Sequence, residues 1–391
     1  MTASTRTAPP GRRRVAVAGV ALSDCGRLDE ATPYALHAQA ARRALADSGL
    51  DRSLVDGLAS AGLGTLAPVE VAEYLGLRPT WVDSTTVGGA TWEVMAAHAA
   101  DAIATGRAHA VLLVYGSTAR ADIKARRRTA NLSFGARGPL QFEVPYGHTL
   151  VAKYAMAARR HMHRYGTTLE QLAEVAVRAR AHAAHNPEAM FRDPITVDDV
   201  LSGPMIADPF TKLHCCIRSD GGCAVLLVAE EYVADTRKAP VWILGAGEHT
   251  SHTTMSEWDD LTVSPAAVSG RLAFARAGVT PADIDVAEIY DAFTYMTLVT
   301  LEDLGFCAKG EGGAYVTDPA AVPVNTDGGG LSACHPGMRG LFLLVEAVRQ
   351  LRGEAPGLQV RRPDGSLPRL AVASATGGWF CSAATLVLSS A

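Results

Sequence analysis

Several features that would place a chain in a class at once are missing from this sequence. Its seven cysteines (positions 25, 215, 216, 223, 307, 334 and 381) include no Cys-x-x-Cys pair, which argues against a zinc ribbon and against a disulfide framework. No apolar run approaches the roughly 18 residues that a membrane span requires. Met1 to Arg14 is polar, with two prolines and four arginines. No apolar stretch of the signal-peptide kind follows it, so the protein is expected in the cytoplasm. The net charge of −4 leaves no nucleic-acid footprint on the chain as a whole. Gly245-Ala246-Gly247 lacks a third glycine in register, so the dinucleotide fingerprint is absent. No cofactor or metal is expected on the chain itself.

What is present is a well-buried α/β protein: 391 residues, 48% hydrophobic and 19% charged, enough for two domains or one duplicated unit. Val15 to Leu22 reads as a strand. Thr32-Pro33 caps an Ala-rich helix that Gly49 ends. Leu54 to Ala59 reads as a second strand and Val69 to Leu75 as a short helix. Trp92, Met95, Ala96, Ala99, Ala100 and Ile103 then form an apolar face at helical spacing. Ala110 to Val114 is fully apolar, and this order of elements predicts a buried, largely parallel sheet. Ala119 to Gly147 carries Arg120, Lys124, Arg126, Arg127 and Arg128 without a clear period. It reads as a long excursion, its cations either a solvated face or a grip on phosphate. Helices are predicted over Leu150 to Arg164 and Leu169 to His185, the second with a capping box in either of two registers at Thr167-Thr168. Gly221 to Ala229 is another buried strand.

The second half repeats the first. Ala44 to Asp56 matches Ala273 to Asp285, each a helix ended by glycine, a turn, and a strand entered through Val/Ile-Asp. Gly222 to Val228 likewise matches Cys381 to Leu388. The expected organisation is a disordered tail over 1–13, one half over 14–235 and a second over 236–391, related by a pseudo-twofold axis. Between the repeats of the second half lies Asn325 to Gly340, with three successive glycines and a His-Pro-Gly turn ahead of an apolar helix from Leu341 to Leu351. That order predicts His335 at or just before a helix N-terminus, where free N–H groups favour developing negative charge.

With these residues in view, the chain resembles the thiolase superfamily, in particular its sterol-carrier-type thiolases and the thiolase-like aldolases of steroid side-chain degradation. The resemblance runs from about Val15 to the C-terminus. It rests on Gly-Gly-Leu-Ser-x-x-His-Pro-Gly at 329–337, Tyr-Asp-Ala-Phe-Thr at 290–294, Arg-His-Met-x-x-Tyr-Gly-Thr-Thr at 160–168 and Ser-Asp-Gly-Gly at 219–222. It implies a five-layer αβαβα fold, a homodimer, and acyl-thioester substrates in which coenzyme A is part of the substrate. It also implies a separate small partner combining an OB-fold with a zinc ribbon.

The departures from the family pattern carry the functional argument. Thiolases place a nucleophilic cysteine in Cys-x-x-Gly at the start of the helix that begins here near Gly89, and the matching position is Thr86. A helix N-terminus can bring a thiol into its working range, whereas a threonine hydroxyl needs a strong adjacent base. The last glycine loop, Ala375-Thr376-Gly377-Gly378-Trp379, has no cysteine before its glycines. Tyr290 fills the place of an asparagine that holds a water in thiolases. The resemblance therefore implies chemistry without an acyl-enzyme: retro-aldol cleavage of a β-hydroxyacyl thioester, with bond formation or C-acyl transfer as the alternative and a non-catalytic thioester-binding subunit as a third. His335 would donate to the thioester oxygen and Tyr295, or else Tyr290, would carry the β-hydroxyl proton. His148 matches the place of an active-site histidine in related acyltransferases. Gly329, Gly330, Gly377, Gly378 and Cys334 are expected to line the substrate, with Cys334 also weighed as a relocated nucleophile.

Overall fold

The computed structural model describes residues 13–64, 66–125, 138–147 and 149–391. His148, the arginines at 126–128 and nearly all of the N-terminal tail lie outside the described residues. In chain order the first part contains β1 (Val15–Leu22), α1 (Pro33–Ser48), β2 (Gly57–Ala59), α2 (Ala67–Leu75), β3 (Trp81–Asp83), α3 (Thr91–Ala104), β4 (Ala110–Ser117), α4 (Ala119–Lys124), α5 (Leu150–Tyr165), α6 (Leu169–Ala184), α7 (Val197–Leu201), the short pair β5 (Met205–Ala207) and β6 (Phe210–Thr211), and β7 (Gly221–Ala229). The second contains β8 (Val241–Thr250), α8 (Ala266–Ala277), β9 (Val286–Ile289), α9 (Thr294–Leu304), α10 (Gly312–Thr317), α11 (Gly340–Arg352), β10 (Leu370–Gly377) and β11 (Ser382–Ser389).

Local chemistry sets the ends. The Thr32 side chain accepts from the Ala35 amide and Gly49 closes α1 at φ 75°, a backbone angle that glycine adopts without strain. Of the two capping registers, Thr168 with Gln171 is the one formed. The stretch read as a strand from Leu54 begins with a single tight turn at Arg52–Leu54, so β2 starts only at Gly57. Within the 119–147 excursion, Arg120 and Lys124 on α4 pair with Asp29 at 2.7 and 2.5 Å, which occupies these two cations.

The sheet is continuous, in the order β3-β2-β4-β7-β1-β8-β11-β10-β9. Its two parts mirror each other about the β1–β8 seam, where Ala16 faces Trp242 and Val17 faces Val241. The counterpart of β3 is a single parallel bridge from Val324 to Ala287. The expectation of a largely parallel sheet is corrected: β2–β3, β2–β4 and β9–β10 are parallel, while β1–β7, β4–β7, β1–β8, β8–β11 and β10–β11 are antiparallel. The central strands read as continuous apolar runs because helices cover both their faces, and that pattern carries no information about direction.

Helix α1 packs outside β1, β7 and β4, and α8 outside β8 and β11, while α3 and α11 lie between the two parts of the sheet. The result is the αβαβα layering. The middle layer is densely apolar, with Trp92, Met95, Ala96, Ala99 and Ile103 of α3 and Leu341, Leu343 and Ala347 of α11 all at 0% exposure. Matching glycines bring each outer helix onto its strand: a methyl at Gly19 would lie 2.2 Å from the Ala44 carbonyl oxygen, and one at Gly245 would lie 2.3 Å from that of Ala273. Gly245-Ala246-Gly247 is thus a packing surface for α8. Among the described residues no helix is long and apolar enough to cross a membrane.

Gly245→Ala is expected to push α8 off β8 and to lower the unfolding free energy by about 1–3 kcal/mol, the usual range for overpacking. Urea denaturation checks this as a lower midpoint with an unchanged slope.

Candidate active site

Three backbone segments converge between the two parts of the sheet. The first is the turn into α3. A methyl at Gly89 would lie 2.3 Å from the Thr376 carbonyl oxygen and 2.6 Å from Cζ of Tyr290, and one at Gly377 would lie 1.8 Å from the Val87 carbonyl oxygen. Only glycine allows this approach, which brings the end of β10 against the helix start. The second segment is the continuation of β9. Tyr290 extends the ladder by donating from its amide to the Ser374 carbonyl at 3.0 Å, and its ring lies against Gly89. The third is the stretch from Gly328 to Gly340, which carries His335.

Tyr290 and His335 meet edge to face, with ring centroids 5.6 Å apart at 84°. The His335 amide donates to Ser219 Oγ at 2.9 Å, while its Nε2 is buried and has no hydrogen-bond partner. Burial, reinforced by the nearby Arg339 guanidinium, pushes the imidazole down to about 4, so it is neutral at physiological pH. Burial likewise drives the Tyr290 phenol well above its ordinary value, with the Arg339 backbone amide facing the hydroxyl and opposing that shift.

The expectation that His335 sits at a helix N-terminus is corrected. A wide turn spans Gly329–Ala333, and α11 opens only at Gly340. Gly337, at φ 103°, lies in a left-handed conformation that a helix cannot continue through, so the chain turns there before α11 begins. The group that faces the start of α11 is the Tyr290 hydroxyl, through the Arg339 amide.

Arg339 was not singled out in the sequence, yet it organises the loop. It is fully buried. Nη2 donates to both Asp327 oxygens at 2.6 and 2.5 Å, and Nη1 donates to the Cys334 carbonyl at 2.8 Å. Nε lies 3.6 Å from Asp291 Oδ1. Asp291 accepts from the Gly330 amide at 2.7 Å and the Leu331 amide at 3.2 Å, and Asp327 from the Gly329 amide at 2.8 Å. The N–H groups of the glycine turn, expected to face substrate, are therefore spent on carboxylates. The visible signal was charge inside an apolar motif: Asp327 and Arg339 flank the glycines, and Asp291 follows Tyr290 directly.

Other expected positions fall elsewhere. Tyr295 is fully buried on α9, where its hydroxyl donates to the Leu261 carbonyl at 3.0 Å and its ring packs on His161 and Phe380. Thr86 is exposed and donates to the Ser84 carbonyl at 3.2 Å, with no hydrogen bond to a base among the described residues. Gly378, at φ 63°, offers its carbonyl to the Tyr154 hydroxyl at 2.9 Å. Cys334 is buried 3.1 Å from Ser219 Oγ, and the adjoining Cys25 thiol and burial together raise it well above an ordinary thiol. That suits a protonated thiol rather than a nucleophile. Among the described residues no cluster of three or more His, Cys, Asp or Glu could hold a metal ion.

Known proteins match the chain over most of its length. Residues 247–390 match the family described as Thiolase C-terminal domain-like. A 17-hydroxy-3-oxo-4-pregnene-20-carboxyl-CoA lyase of Mycobacterium tuberculosis is 34% identical over 87% of this chain and 92% of its own. A steroid side-chain-cleaving aldolase of Thermomonospora curvata is 33% identical over 93% of this chain and 95% of its own. An acetyl-CoA acetyltransferase of Methanothermobacter thermautotrophicus is 32% identical over 89% and 93%. Among solved structures, the Ltp2-ChsH2(DUF35) aldolase superposes with a TM-score of 0.85 at 31% identity, over 96% of this chain and 97% of that one. Human mitochondrial 3-ketoacyl-CoA thiolase, at 16% identity and a TM-score of 0.70 over 96% and 98%, shares the fold. The chain belongs to the thiolase superfamily. Its place there is with the thiolase-like aldolases, the carbon–carbon lyases of the group.

Removing the guanidinium leaves Asp291, buried, and Asp327, half-buried, without a cation. Arg339→Met is expected to lower stability by about 3–5 kcal/mol, as for one partner of a buried pair, measured by urea denaturation at pH 7. Burial, opposed by Arg339, raises the Asp291 carboxyl from 3.8 to about 7. The folded protein therefore holds a proton that the unfolded chain releases, and stability falls as pH rises through this window. Asp291→Asn keeps an accepting oxygen and cannot ionise, so unfolding curves measured from pH 4 to 7 should lose that part of the slope.

Proposed function

We propose that the chain cleaves a β-hydroxyacyl-CoA by a retro-aldol reaction without a covalent acyl-enzyme. The observation that carries this reading is the Tyr290–His335 pair, with Gly89 against the tyrosine ring and, among the described residues, the thiols near it, those of Cys216 and Cys334, both held protonated. His335, neutral and with Nε2 unpartnered, supplies a hydrogen bond to the thioester oxygen. Such a donor counts most where the enolate charge develops in a water-poor site. Tyr290 faces the β-hydroxyl. The β-hydroxyl proton passes to the Tyr290 oxygen, deprotonated in the reactive form, as the Cα–Cβ bond breaks; the bonding pair moves to Cα as the enolate, and the β-carbon becomes a carbonyl. A proton returned to Cα completes the shorter acyl thioester. This assigns to Tyr290 the part first expected of Tyr295, whose hydroxyl is held by the Leu261 carbonyl. The names of the relatives from Mycobacterium tuberculosis and Thermomonospora curvata support a steroid acyl chain as substrate.

The same reading takes the protein as a homodimer in the cytoplasm, built from halves at 14–235 and 236–391. It recruits a separate small partner with an OB-fold and a zinc ribbon. The solved Ltp2-ChsH2(DUF35) aldolase supports a DUF35 partner.

Incubating the chain and such a partner with a β-hydroxyacyl-CoA should yield a carbonyl product and a shorter acyl-CoA by mass spectrometry. Persistence of the substrate intact in both directions of the reaction would sink the proposal. His335→Ala and Tyr290→Phe should each lower kcat about 10²-fold or more, the scale of one lost oxyanion donor, whereas Tyr295→Phe should stay within about tenfold of the parent. Thr86→Ala should keep at least about a tenth of the activity, since its hydroxyl is bonded to the Ser84 carbonyl and meets no base among the described residues. Intact mass spectrometry after exposure to the acyl thioester should show no adduct, and one on Thr86 or Cys334 would favour acyl transfer.

A further inference from the structure

Glu93 is the least explained charged residue of the middle layer. It lies on α3 at 0% exposure, among Trp92, Val94, Met95 and Ala96, and neither carboxyl oxygen has a hydrogen-bond partner. A buried polar group without a partner is expensive, and an apolar side chain would be the cheaper filling. The carboxyl faces the first residue of α11: a methyl at Gly340 would lie 2.4 Å from Oε2 of Glu93 and 2.7 Å from the Gly89 carbonyl oxygen. Tyr290 meets the same turn: its Cζ would lie 2.6 Å from a methyl at Gly89, and its hydroxyl faces the Arg339 amide. Glu93 and Tyr290 thus both approach the opening turn of α11, where N–H groups at a helix start favour negative charge.

We propose that Glu93 is the positioning residue that shares Tyr290's proton, through one bridging water at the start of α11, so that the pair rather than the tyrosine alone is the proton carrier. This rests on the retro-aldol reading. A tyrosine that keeps its proton cannot accept another, and burial opposes a lone tyrosinate. With Glu93 the pair loses one proton as a unit, and its titration belongs to both groups. The singly deprotonated pair takes the β-hydroxyl proton as the Cα–Cβ bond breaks, then returns it to Cα of the enolate. The pair ends as it began. Burial raises the Glu93 carboxyl well above its ordinary value, so it can donate to the tyrosine oxygen. The other titratable or charged groups around the pair include Cys216 ahead of β7, Cys223 on β7, Tyr115 on β4, Tyr154 on α5, Asp291 next to Tyr290 in the chain, and His335 and Arg339 ahead of α11.

Two measurements on the full chain test this, with the partner protein present for turnover. Infrared difference spectra between the parent and Glu93→Gln assign the protonated-carboxyl band, and Tyr290→Phe should displace that band without any substrate. In turnover of a β-hydroxyacyl-CoA, Glu93→Gln should lower kcat tenfold or more with KM unchanged. It should also move the limb on which activity rises with pH upward by a unit or more, and Glu93→Asp should restore part of both. A carboxyl band that ignores Tyr290→Phe, or a Glu93→Gln enzyme with the parent's kcat and pH limb, overturns the proposal. If Glu93→Gln does not fold, the shift between Glu93→Asp and the parent assigns the band, and the Tyr290→Phe test proceeds unchanged. A coupled band in a protein that does not cleave the thioester refutes the lyase reading alone. Normal cleavage with an uncoupled band refutes the proton link alone.

Discussion

The structure of the site depends on one buried cation. Arg339 spans from Asp327 at the start of the glycine turn to the carbonyl that precedes His335, and its Nε lies against Asp291. A guanidinium presents several donors in a fixed fork, so one side chain sets the spacing of three separate backbone stretches. A charge taken fully out of water is tolerated only when paired and hydrogen-bonded. Here Asp327 neutralises the arginine, and both acids accept amides of the glycine turn. The turn is therefore held from within, and His335 projects from it with a nitrogen left free.

That arrangement also accounts for a thiolase frame that works without thiolase sulfur. With Thr86 turned to solvent and Cys334 kept as a buried thiol, the cleft retains the half of the machinery that stabilises an enolate and lacks the half that traps an acyl group. An enolate-stabilising site with a phenol near it suits cleavage beside a hydroxyl-bearing carbon.

The frame was legible in the sequence because its signals are local. Caps at Thr32 and Thr168, glycines at helix ends and runs of apolar residues each depend on a few neighbours, and the repeat of 44–56 in 273–285 exposed the duplication. Strand direction was not legible, since a strand buried on both faces reads alike either way. Within the site, glycine and histidine motifs pointed to stretches that the structure brings together around Tyr290 and His335. The choice between Tyr290 and Tyr295 turned on where β9 ends and α9 begins, a boundary that five consecutive residues do not reveal. Arg339, Asp291 and Glu93 went unnoticed because their meaning is burial, and burial is a property of what comes from elsewhere in the chain.

The seam between Tyr290, His335 and their supports joins residues far apart along the chain: His335 meets Ser219 across 116 positions, and the Tyr115 hydroxyl reaches the Pro336 carbonyl across 221. Closing such long loops costs chain entropy before any contact repays it. Helices and hairpins can therefore form before the cleft closes, and the cleft shares its dependence on distant contacts with the central sheet, where Val15 pairs with Ala229 and Ala16 with Trp242. A complete cleft thus requires that the two parts of the sheet have already met. The active site is in this sense the molecule's own gauge of whether folding has finished.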